Sequence, residues 1–184
     1  MKLFKKIKFE NGERKFFILG IPIFSYKKKE LSYVEKARLQ GVKVGENCVF
    51  VTMPSFGTEP YFITIGDNVK ISFDVTFLTH DGGIWVGNNL EKTDYSKLGE
   101  IKIGNNCFIG CRTIIMPNVT IGNNCVIGAG SIVTKNVPDG EVWAGNPAHF
   151  IKTTSEYHKQ IEKINTEEKQ QNMKNFVETL RGTN

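Results

Sequence analysis

Residues 121–134 read IGNNCVIGAGSIVT, with an aliphatic side chain at every sixth position and a Gly directly after the first two of them. The same spacing holds in two runs. Aliphatic residues stand at positions 103, 109, 115, 121, 127 and 133, and an earlier run in the same frame consists of Ile65, Ile71 and Phe77. A helix turns by ~600° over six residues and would scatter these side chains. In an extended chain, residues an even number apart face the same side. The spacing therefore predicts short strands with one inward face.

Corners between the strands are predicted by the residues that follow each aliphatic position. These are mostly Gly, Asn or Asp, which tolerate tight bends. If three hexads close one triangular coil, residues 18 apart stack on neighbouring coils about 4.8 Å apart. The pentapeptide IGNNC begins at both 103 and 121, which are 18 residues apart. We therefore expect an all-β pile of parallel coils, because stacking buries a continuous core that a single coil cannot form.

The segment 101–152 adds more specific motifs to the hexads, reading IKIGNNCFIGCRTIIMPNVTIGNNCVIGAGSIVTKNVPDGEVWAGNPAHFIK. GAGSIVTK followed by a Pro, and then AGNPA, are much more distinctive than the bare repeat. On these motifs the chain resembles the hexapeptide-repeat acyltransferases, especially the maltose, galactoside and polysaccharide O-acetyltransferase branch. The resemblance runs from residue 44 to residue 152. It implies a left-handed parallel β-helix, usually assembled as a homotrimer.

Three segments are expected along the chain. Residues 1–41 would form strands around a turn at Asn11 and Gly12 and a short helix at about 31–39, packing on the coil. Residues 42–152 would form the repeat domain. Residues 153–184 are rich in Glu, Lys and Gln, which favour a helix that covers the end of the coil.

The repeat is interrupted twice. Residues 51–63 read VTMPSFGTEPYFI, and residues 80–100 read HDGGIWVGNNLEKTDYSKLGE. Both are too irregular to hold hexads. We therefore predict two loops extruded from the coil, and loops on a rigid scaffold are where binding and catalytic groups concentrate.

The N-terminal segment is basic, but its pattern does not match that of a targeting signal. Its apolar run at 16–24 is broken by Gly20 and Pro22 and is followed by KKK, which argues against a signal peptide, and it is too short to span a bilayer. The cations predict a solvated surface, with attraction to an anionic membrane as the open alternative. The net charge of +5 comes without a nucleic-acid-binding motif, which excludes that class of partner.

The four Cys residues indicate packing and not a metal site. There is no CxxC pair and no His at ligand spacing near them. Cys48, Cys107 and Cys125 all occupy the fifth place of a hexad, where a small buried residue fits. Free thiols of this kind suit a reducing cytoplasm, which is the expected location.

His80 opens the second loop in the sequence TFLTHDGG. The bare sequence leaves a hydrogen-bonded corner histidine and a catalytic base as equal alternatives. The resemblance favours the base, because the family's catalytic His stands at this junction of a hexad and a loop. An imidazole with an ordinary pKa near 6.5 suits the removal of a hydroxyl proton near neutral pH. Cys111 is a weaker candidate nucleophile, since no base stands beside it in the sequence.

The resemblance also implies acetyl-CoA as cosubstrate, without a metal. Carried over by motif, its binding positions are Phe108, Gly110, Cys111, Ala129, Gly130, Thr134, Lys135, His149 and Lys152. Three of them depart from the family pattern. Phe108 occupies a position where relatives often have Trp, and Cys111 one where they have Ser, Gly or Ala. His149 replaces an Arg or Lys, and this last change removes a permanent charge.

A sugar hydroxyl is the expected acceptor, in capsule, lipopolysaccharide or exopolysaccharide synthesis. Five loop residues are the candidates for binding it: Asp81, Trp85, Glu91, Asp94 and Tyr95. Phe56 and Tyr61 are further loop aromatics that could stack on a sugar ring, and Asp81 could instead orient His80. Transfer to an amine, on an amino sugar nucleotide or a xenobiotic, is the alternative. A non-catalytic structural coil is more remote, and a γ-type carbonic anhydrase is disfavoured because His149 and His158 follow the repeats.

Overall fold

The computed structural model describes residues 4–9, 13–19, 21–27, 30–164 and 172–177. The chain divides into two compact units, residues 1–32 and residues 33–184. The first unit is an antiparallel sheet in the order β1-β2-β3, built from Phe4–Lys8, Glu13–Ile18 and Ile21–Lys27. The predicted strands are therefore confirmed, while the predicted turn at Asn11 and Gly12 lies outside the described residues.

The second unit begins with helix α1, Tyr33–Gln40, close to the predicted helix. Short strands follow: β4 Lys43–Val44, β5 Val49–Phe50, β6 Ile63–Ile65, β7 Lys70–Ile71, β8 Thr76–Phe77, β9 Ile101–Ile103, β10 Phe108–Ile109, β11 Ile114–Ile115, β12 Thr120–Ile121, β13 Val126–Ile127, β14 Ile132–Val133, β15 Glu141–Gly145 and β16 Ala148–Thr153. A single turn of 3₁₀ helix, Pro60–Phe62, precedes β6, and helix α2, Ile84–Glu91, precedes β9. Helix α3, Thr154–Ile164, follows β16.

The short strands form three sides of a coil. Side one is β12-β9-β6-β4, side two is β16-β15-β13-β10-β7-β5 and side three is β14-β11-β8. The chain visits the sides in turn, and all neighbours are parallel except β16, which is antiparallel to β15. Ile103 pairs with Ile121 across side one, so residues 18 apart stack as the repeat predicts.

The aliphatic residues of the hexads fill the interior. Ile71, Ile109, Ile115, Ile121, Ile127 and Val133 have no exposed surface. Cys107 and Cys125 are buried among them, and each thiol donates to a backbone carbonyl of the next coil, at 3.0 Å from Gly122 and Pro138 respectively. All four Cys residues are free, and the two buried ones serve packing, as predicted.

The first predicted loop is shorter than expected. The Val51 and Ser55 amides donate to the carbonyls of Ile71 and Val75, both at 2.9 Å, so the chain stays in the coil through residue 56. Phe56 is 3% exposed and packs against Phe77, with ring centroids 5.3 Å apart. The prediction of a loop from residue 51 was wrong for 51–56, because Phe56 fills the inward position six residues after Phe50 although residues 51–55 contain no Gly, Asn or Asp to mark a corner.

The second predicted loop is extruded, but it is not irregular throughout. It contains helix α2, which the sequence pattern did not predict. Its two ends are held together where they leave the coil, because the Gly99 amide donates to the Thr79 carbonyl at 2.8 Å and the Asp81 amide to the Lys97 carbonyl at 2.9 Å. The coil therefore resumes at β9 in register with β6.

The C-terminal region is helical where it is described, over α3 and over residues 172–177. The rest of the predicted helix, at 165–171 and 178–184, lies outside the described residues. Among the helices of the described part, none has the length and apolar character needed to cross a bilayer.

Candidate functional site

His80 stands where the chain leaves side three. Thr79, directly before it, is fully buried, and this anchors the start of the loop in the coil. His80 itself forms an isolated antiparallel bridge with Leu98 on the returning strand of the loop. Its side chain is 45% exposed. The backbone on both sides of the ring is thus fixed, while close to half of the side chain remains accessible to solvent.

Glu59 holds the other edge of the ring. Its Oε2 atom lies 3.0 Å from His80 Nδ1 and also accepts a hydrogen bond of 2.6 Å from the Thr79 hydroxyl. The Thr58 hydroxyl donates to the second carboxylate oxygen. Sequence analysis missed Glu59, since it precedes His80 by 21 residues on the other loop and no motif marks it. Only its acidic character in a loop next to the His-bearing coil was visible in the sequence.

The carboxylate of Glu59 is kept ionised by these contacts. Hydrogen bonds from Thr58, Thr79 and His80 lower its pKa to about 2. An ionised carboxylate only accepts hydrogen bonds, so Nδ1 of His80 must be the protonated nitrogen of the ring. The lone pair of a neutral ring then lies on Nε2, at the edge that Glu59 does not cover.

Asp81 contacts its own loop and not His80, which is the favoured alternative of the two that the sequence left open. Its carboxylate accepts hydrogen bonds from Lys97 Nζ at 2.7 Å and from the Gly83 amide at 2.9 Å. The Lys97 hydrogen bond is the main reason that the pKa of Asp81 is lowered. Successive residues of an extended chain point to opposite sides, and Asp81 accordingly ties the loop together instead of supporting His80.

The remaining acceptor candidates line the outside of the second loop. Trp85 on α2 is 69% exposed and Tyr95 is 66% exposed. Asn88 shapes this part of the loop by accepting from the Tyr95 amide and donating to its carbonyl. Glu91 and Asp94 are exposed on the same segment. In contrast, Phe56 belongs to the core, so its predicted role as a sugar-stacking loop residue was wrong, whereas Tyr61 is 58% exposed.

Four of the predicted cofactor positions meet at the corner between sides two and three. The Gly130 amide donates to the Cys111 carbonyl at 2.8 Å, which stacks one turn on the other. A Cβ on Gly110 would lie 2.5 Å from the Ala129 nitrogen, so this Gly is required by the close approach of the coils. Gly130 has φ +70° and open space around its Cα, and Ala129 is exposed. The corner therefore offers a flat, accessible stretch of backbone.

The other predicted cofactor positions lie on side two and at the corner between sides three and one. Gly110 and His149 lie in one row of side two, because Ile109, Ile127 and Trp143 are in register and Ala144 pairs with His149. Phe108 and Lys152 share a row two residues earlier on the same side, and Lys152 Nζ donates to Gln160 on α3 at 2.7 Å. Thr134 and Lys135 follow β14, at the corner between sides three and one, and both are exposed.

The backbone corner of Ala129 and Gly130 does not meet His80 within one chain, although Thr134 and Lys135 follow the same side of the coil as His80. His80 follows β8 of side three, so it lies at the corner between sides three and one, while the accessible backbone of Ala129 and Gly130 lies at the corner between sides two and three. Within the described residues, no group of three or more His, Cys, Asp or Glu could hold a metal ion.

Comparison with known proteins gives this arrangement a context. The family model described as bacterial transferase hexapeptide (six repeats) matches residues 100–135. Protein CapG of Staphylococcus aureus is 47% identical over 129 residues, which are 69% of this chain and 74% of CapG. This chain belongs to the hexapeptide-repeat acetyltransferase family.

Solved structures of the family agree with the assignment. A maltose O-acetyltransferase from Clostridium difficile 630 has a TM-score of 0.51 at 36% identity, covering 61% of this chain and 59% of that chain. A galactoside acetyltransferase in complex with coenzyme A has a TM-score of 0.50 at 30% identity, covering 72% and 76%. The chain thus spans about three fifths of the maltose enzyme and three quarters of the galactoside enzyme.

Replacing Glu59 by Gln should lower thermal stability in a pH-dependent way. The folded-state pKa lies below its ordinary value of 4.5, so ionised Glu59 stabilises the fold above pH 4.5, and this contribution disappears as the pH falls towards about 2. We expect the difference in Tm between wild type and Glu59→Gln to be largest above pH 4.5 and to shrink below it. Glu91→Gln, at an exposed position on α2, is the matched control. A difference that stays constant over this range would contradict the Glu59 contacts.

Proposed function

We propose that the protein is an acetyl-CoA-dependent O-acetyltransferase that acts on a sugar hydroxyl, with His80 as general base. The observation that carries the proposal is the contact of His80 Nδ1 with the Glu59 carboxylate at 3.0 Å, which leaves Nε2 as the basic atom at an exposed edge. The names of the relatives support the reaction class, since two solved structures of the family are a maltose O-acetyltransferase and a galactoside acetyltransferase bound to coenzyme A.

Direct transfer in a ternary complex requires only the groups in place here. Nε2 of His80 takes the proton of the acceptor hydroxyl while its oxygen attacks the thioester carbon of acetyl-CoA. Collapse of the tetrahedral intermediate expels the CoA thiolate, to which the imidazolium returns the proton. Glu59 is a positioning residue that fixes the tautomer of His80 and stabilises the imidazolium, and backbone amides would stabilise the oxyanion.

The exposed corner at Ala129 and Gly130 fits the pantetheine arm of acetyl-CoA. No bulky side chain shields the backbone there, so amides and carbonyls of the turn can hydrogen-bond to an extended ligand. Gly110 and Cys111 form the turn stacked directly on it. Thr134, Lys135, His149 and Lys152 would meet the phosphates, for which cationic side chains are suited, and Phe108 would supply an apolar surface.

A homotrimer would complete the site. Because His80 and the Ala129 corner lie at different corners of one chain, a second copy must bring its own corner opposite His80. The family resemblance implies this arrangement, together with a left-handed course of the coil. The division into segments 1–41, 42–152 and 153–184 rests on the sequence pattern, whereas in the structure α1 belongs to the second compact unit. The cytoplasmic location expected from the free thiols belongs to the same proposal.

The acceptor would bind against the second loop. Trp85 and Tyr95 present exposed rings that can stack on a sugar, and Glu91, Asp94 and Asp81 present carboxylates that can accept its hydroxyl protons. A cell-surface polysaccharide or its precursor is the acceptor that the resemblance favours. Transfer to the amine of an amino sugar nucleotide or a xenobiotic would use the same base and cofactor positions.

His80→Ala should lower kcat by about a hundredfold to ten-thousandfold, the range that general bases contribute. His158→Ala, on the exposed face of α3, is the control and should retain full activity. The assay follows release of free CoA with a panel of galactosides, maltose and hexosamines. Transfer to the amines only, or full activity in His80→Ala, would overturn the proposed acceptor or the proposed base.

Acetyl-CoA should raise the Tm of the wild-type protein and raise it less in Lys135→Ala. A ligand at a hundred times its Kd adds ~2.7 kcal/mol to folded-state stability. Lys102→Ala removes an exposed cation from side one and should respond like wild type. The absence of any rise in wild type at millimolar acetyl-CoA would remove the cofactor from the proposal.

Mixed oligomers should reveal a site shared between chains. His80→Ala removes the base and Ala129→Tyr blocks the cofactor corner, so each variant alone should be inactive. When the two are co-expressed, some sites combine an intact His80 with an intact Ala129, and activity should return. Co-expression of His80→Ala with Glu59→Ala is the control, because those residues touch within one chain. Failure of the first pair to recover activity would contradict a site between subunits.

A further inference from the structure

The positive charge of the chain is concentrated in its N-terminal unit. Residues 1–32 hold nine of the 24 Lys and Arg residues and three of the 19 Asp and Glu residues, a net charge of +6. The remaining 15 cations and 16 acids give residues 33–184 a net charge of −1. The net charge of +5 of the whole protein therefore arises entirely from a unit that contains none of the proposed catalytic or cofactor residues.

The sheet places these cations among aromatic rings. Lys6 Nζ lies 5.5 Å from the centre of the Phe16 ring, which stacks on Phe24 at 4.5 Å. Two rows further along, Lys8 pairs with Arg14 across β1 and β2, so the cations continue along this sheet.

An apolar hairpin end lies next to the start of β1, where Phe4 pairs with Ile18 and Lys5 with Phe17. The β2–β3 hairpin reverses between Ile18 and Ile21, which pair across the turn, and Leu19 has φ 51°. Leu19 is 58% exposed, Ile21 68% and Ile23 52%. Large aliphatic side chains grouped at an exposed hairpin end indicate an interaction surface. Solvation alone explains the Lys residues but gives no reason for this group.

We propose that the N-terminal unit binds the surface of an anionic lipid bilayer. The aliphatic hairpin end enters the region of the headgroups, and Lys5, Lys6 and Lys8 on the adjacent strand bind anionic headgroups. Interfacial binding of this kind combines buried apolar area with attraction of cations to the surface. The inference goes beyond the proposed transfer reaction and does not depend on it.

The composition of this surface argues against two other binding partners, a second copy of the protein and a soluble polyanion. A second copy of the hairpin would bring a second charge of +6 against the first, and the two would repel each other. A soluble polyanion would neutralise the Lys residues but leave Leu19, Ile21 and Ile23 in water. A bilayer with anionic lipids satisfies both features at once.

The full-length protein can be tested by co-sedimentation with vesicles. Vesicles of phosphatidylcholine alone are compared with vesicles that also contain phosphatidylglycerol. We expect binding to the second kind, and we expect it to weaken with added salt. Replacing Lys5, Lys6 and Lys8 together by Gln should lower the partition coefficient about a hundredfold, since each cation near such a surface contributes about a factor of five. The matched control replaces Lys102, Lys159 and Lys174 by Gln and should bind as wild type.

A second set of variants tests the apolar part. Leu19→Asn keeps a residue that tolerates positive φ, and Ile21→Thr and Ile23→Thr keep β-branched residues in a strand. This triple variant should lose binding even though its charge is unchanged. Circular dichroism and gel filtration of each variant report whether it folds as wild type does.

Each outcome decides the proposal. No binding of wild type to either kind of vesicle overturns it, and this result needs no variant at all. If the Lys variant and the variant of Leu19, Ile21 and Ile23 both still bind, the contact lies elsewhere on the protein, and the proposal is again overturned. If only the Lys variant loses binding and the variant of Leu19, Ile21 and Ile23 still binds, the surface is a site for polyanions, and insertion of the hairpin end is contradicted. A change in oligomeric state without vesicle binding makes the hairpin an interface between copies. The vesicle experiments can be interpreted in the same way whether or not the protein binds acetyl-CoA or transfers its acetyl group.

Discussion

The structure depends on how closely each coil approaches the next at the corner between sides one and two. A Cβ on Gly104 would lie 2.8 Å from the carbonyl carbon of Gly122, and a Cβ on Gly66 would lie equally close to the carbonyl carbon of Gly104. This contact leaves no room for a side chain. The Asn and Asp residues that follow these glycines accept hydrogen bonds from the coil before them, as Asn123 does from the Asn105 amide at 2.8 Å. The spacing of the coils is thereby held constant along the pile.

The constant spacing of the coils fixes the relative positions of the segments that leave them. Glu59 and His80 belong to different extruded segments, yet they lie within hydrogen-bonding distance because both segments leave neighbouring coils on side three. Thr79 connects them to the core, since it is fully buried and still donates to Glu59. The rigidity of the proposed base therefore originates in the coil, and the loops supply only the chemistry.

The repeat made most of the fold predictable, because a period of six that persists over many residues has a single geometric solution. The sequence pattern failed before Phe56, where no Gly, Asn or Asp marks the corner, and where a helix of only eight residues interrupted a loop. The site was harder to predict. His80 stood out as the titratable residue at a junction, but its partner is set by stacking between loops, which leaves no trace in local sequence. Asp81 was the obvious neighbour in the chain and the wrong one in space.

The joined ends of the second loop have a consequence for how such proteins diversify. Because the Thr79 carbonyl and the Gly99 amide are paired across the neck, the coil passes from β8 to β9 as though nothing had been inserted. An insertion of any length could replace α2 and its flanks without moving the scaffold. Mutation and recombination can therefore change the residues of this segment while the hydrogen bonds that fold the coil stay the same.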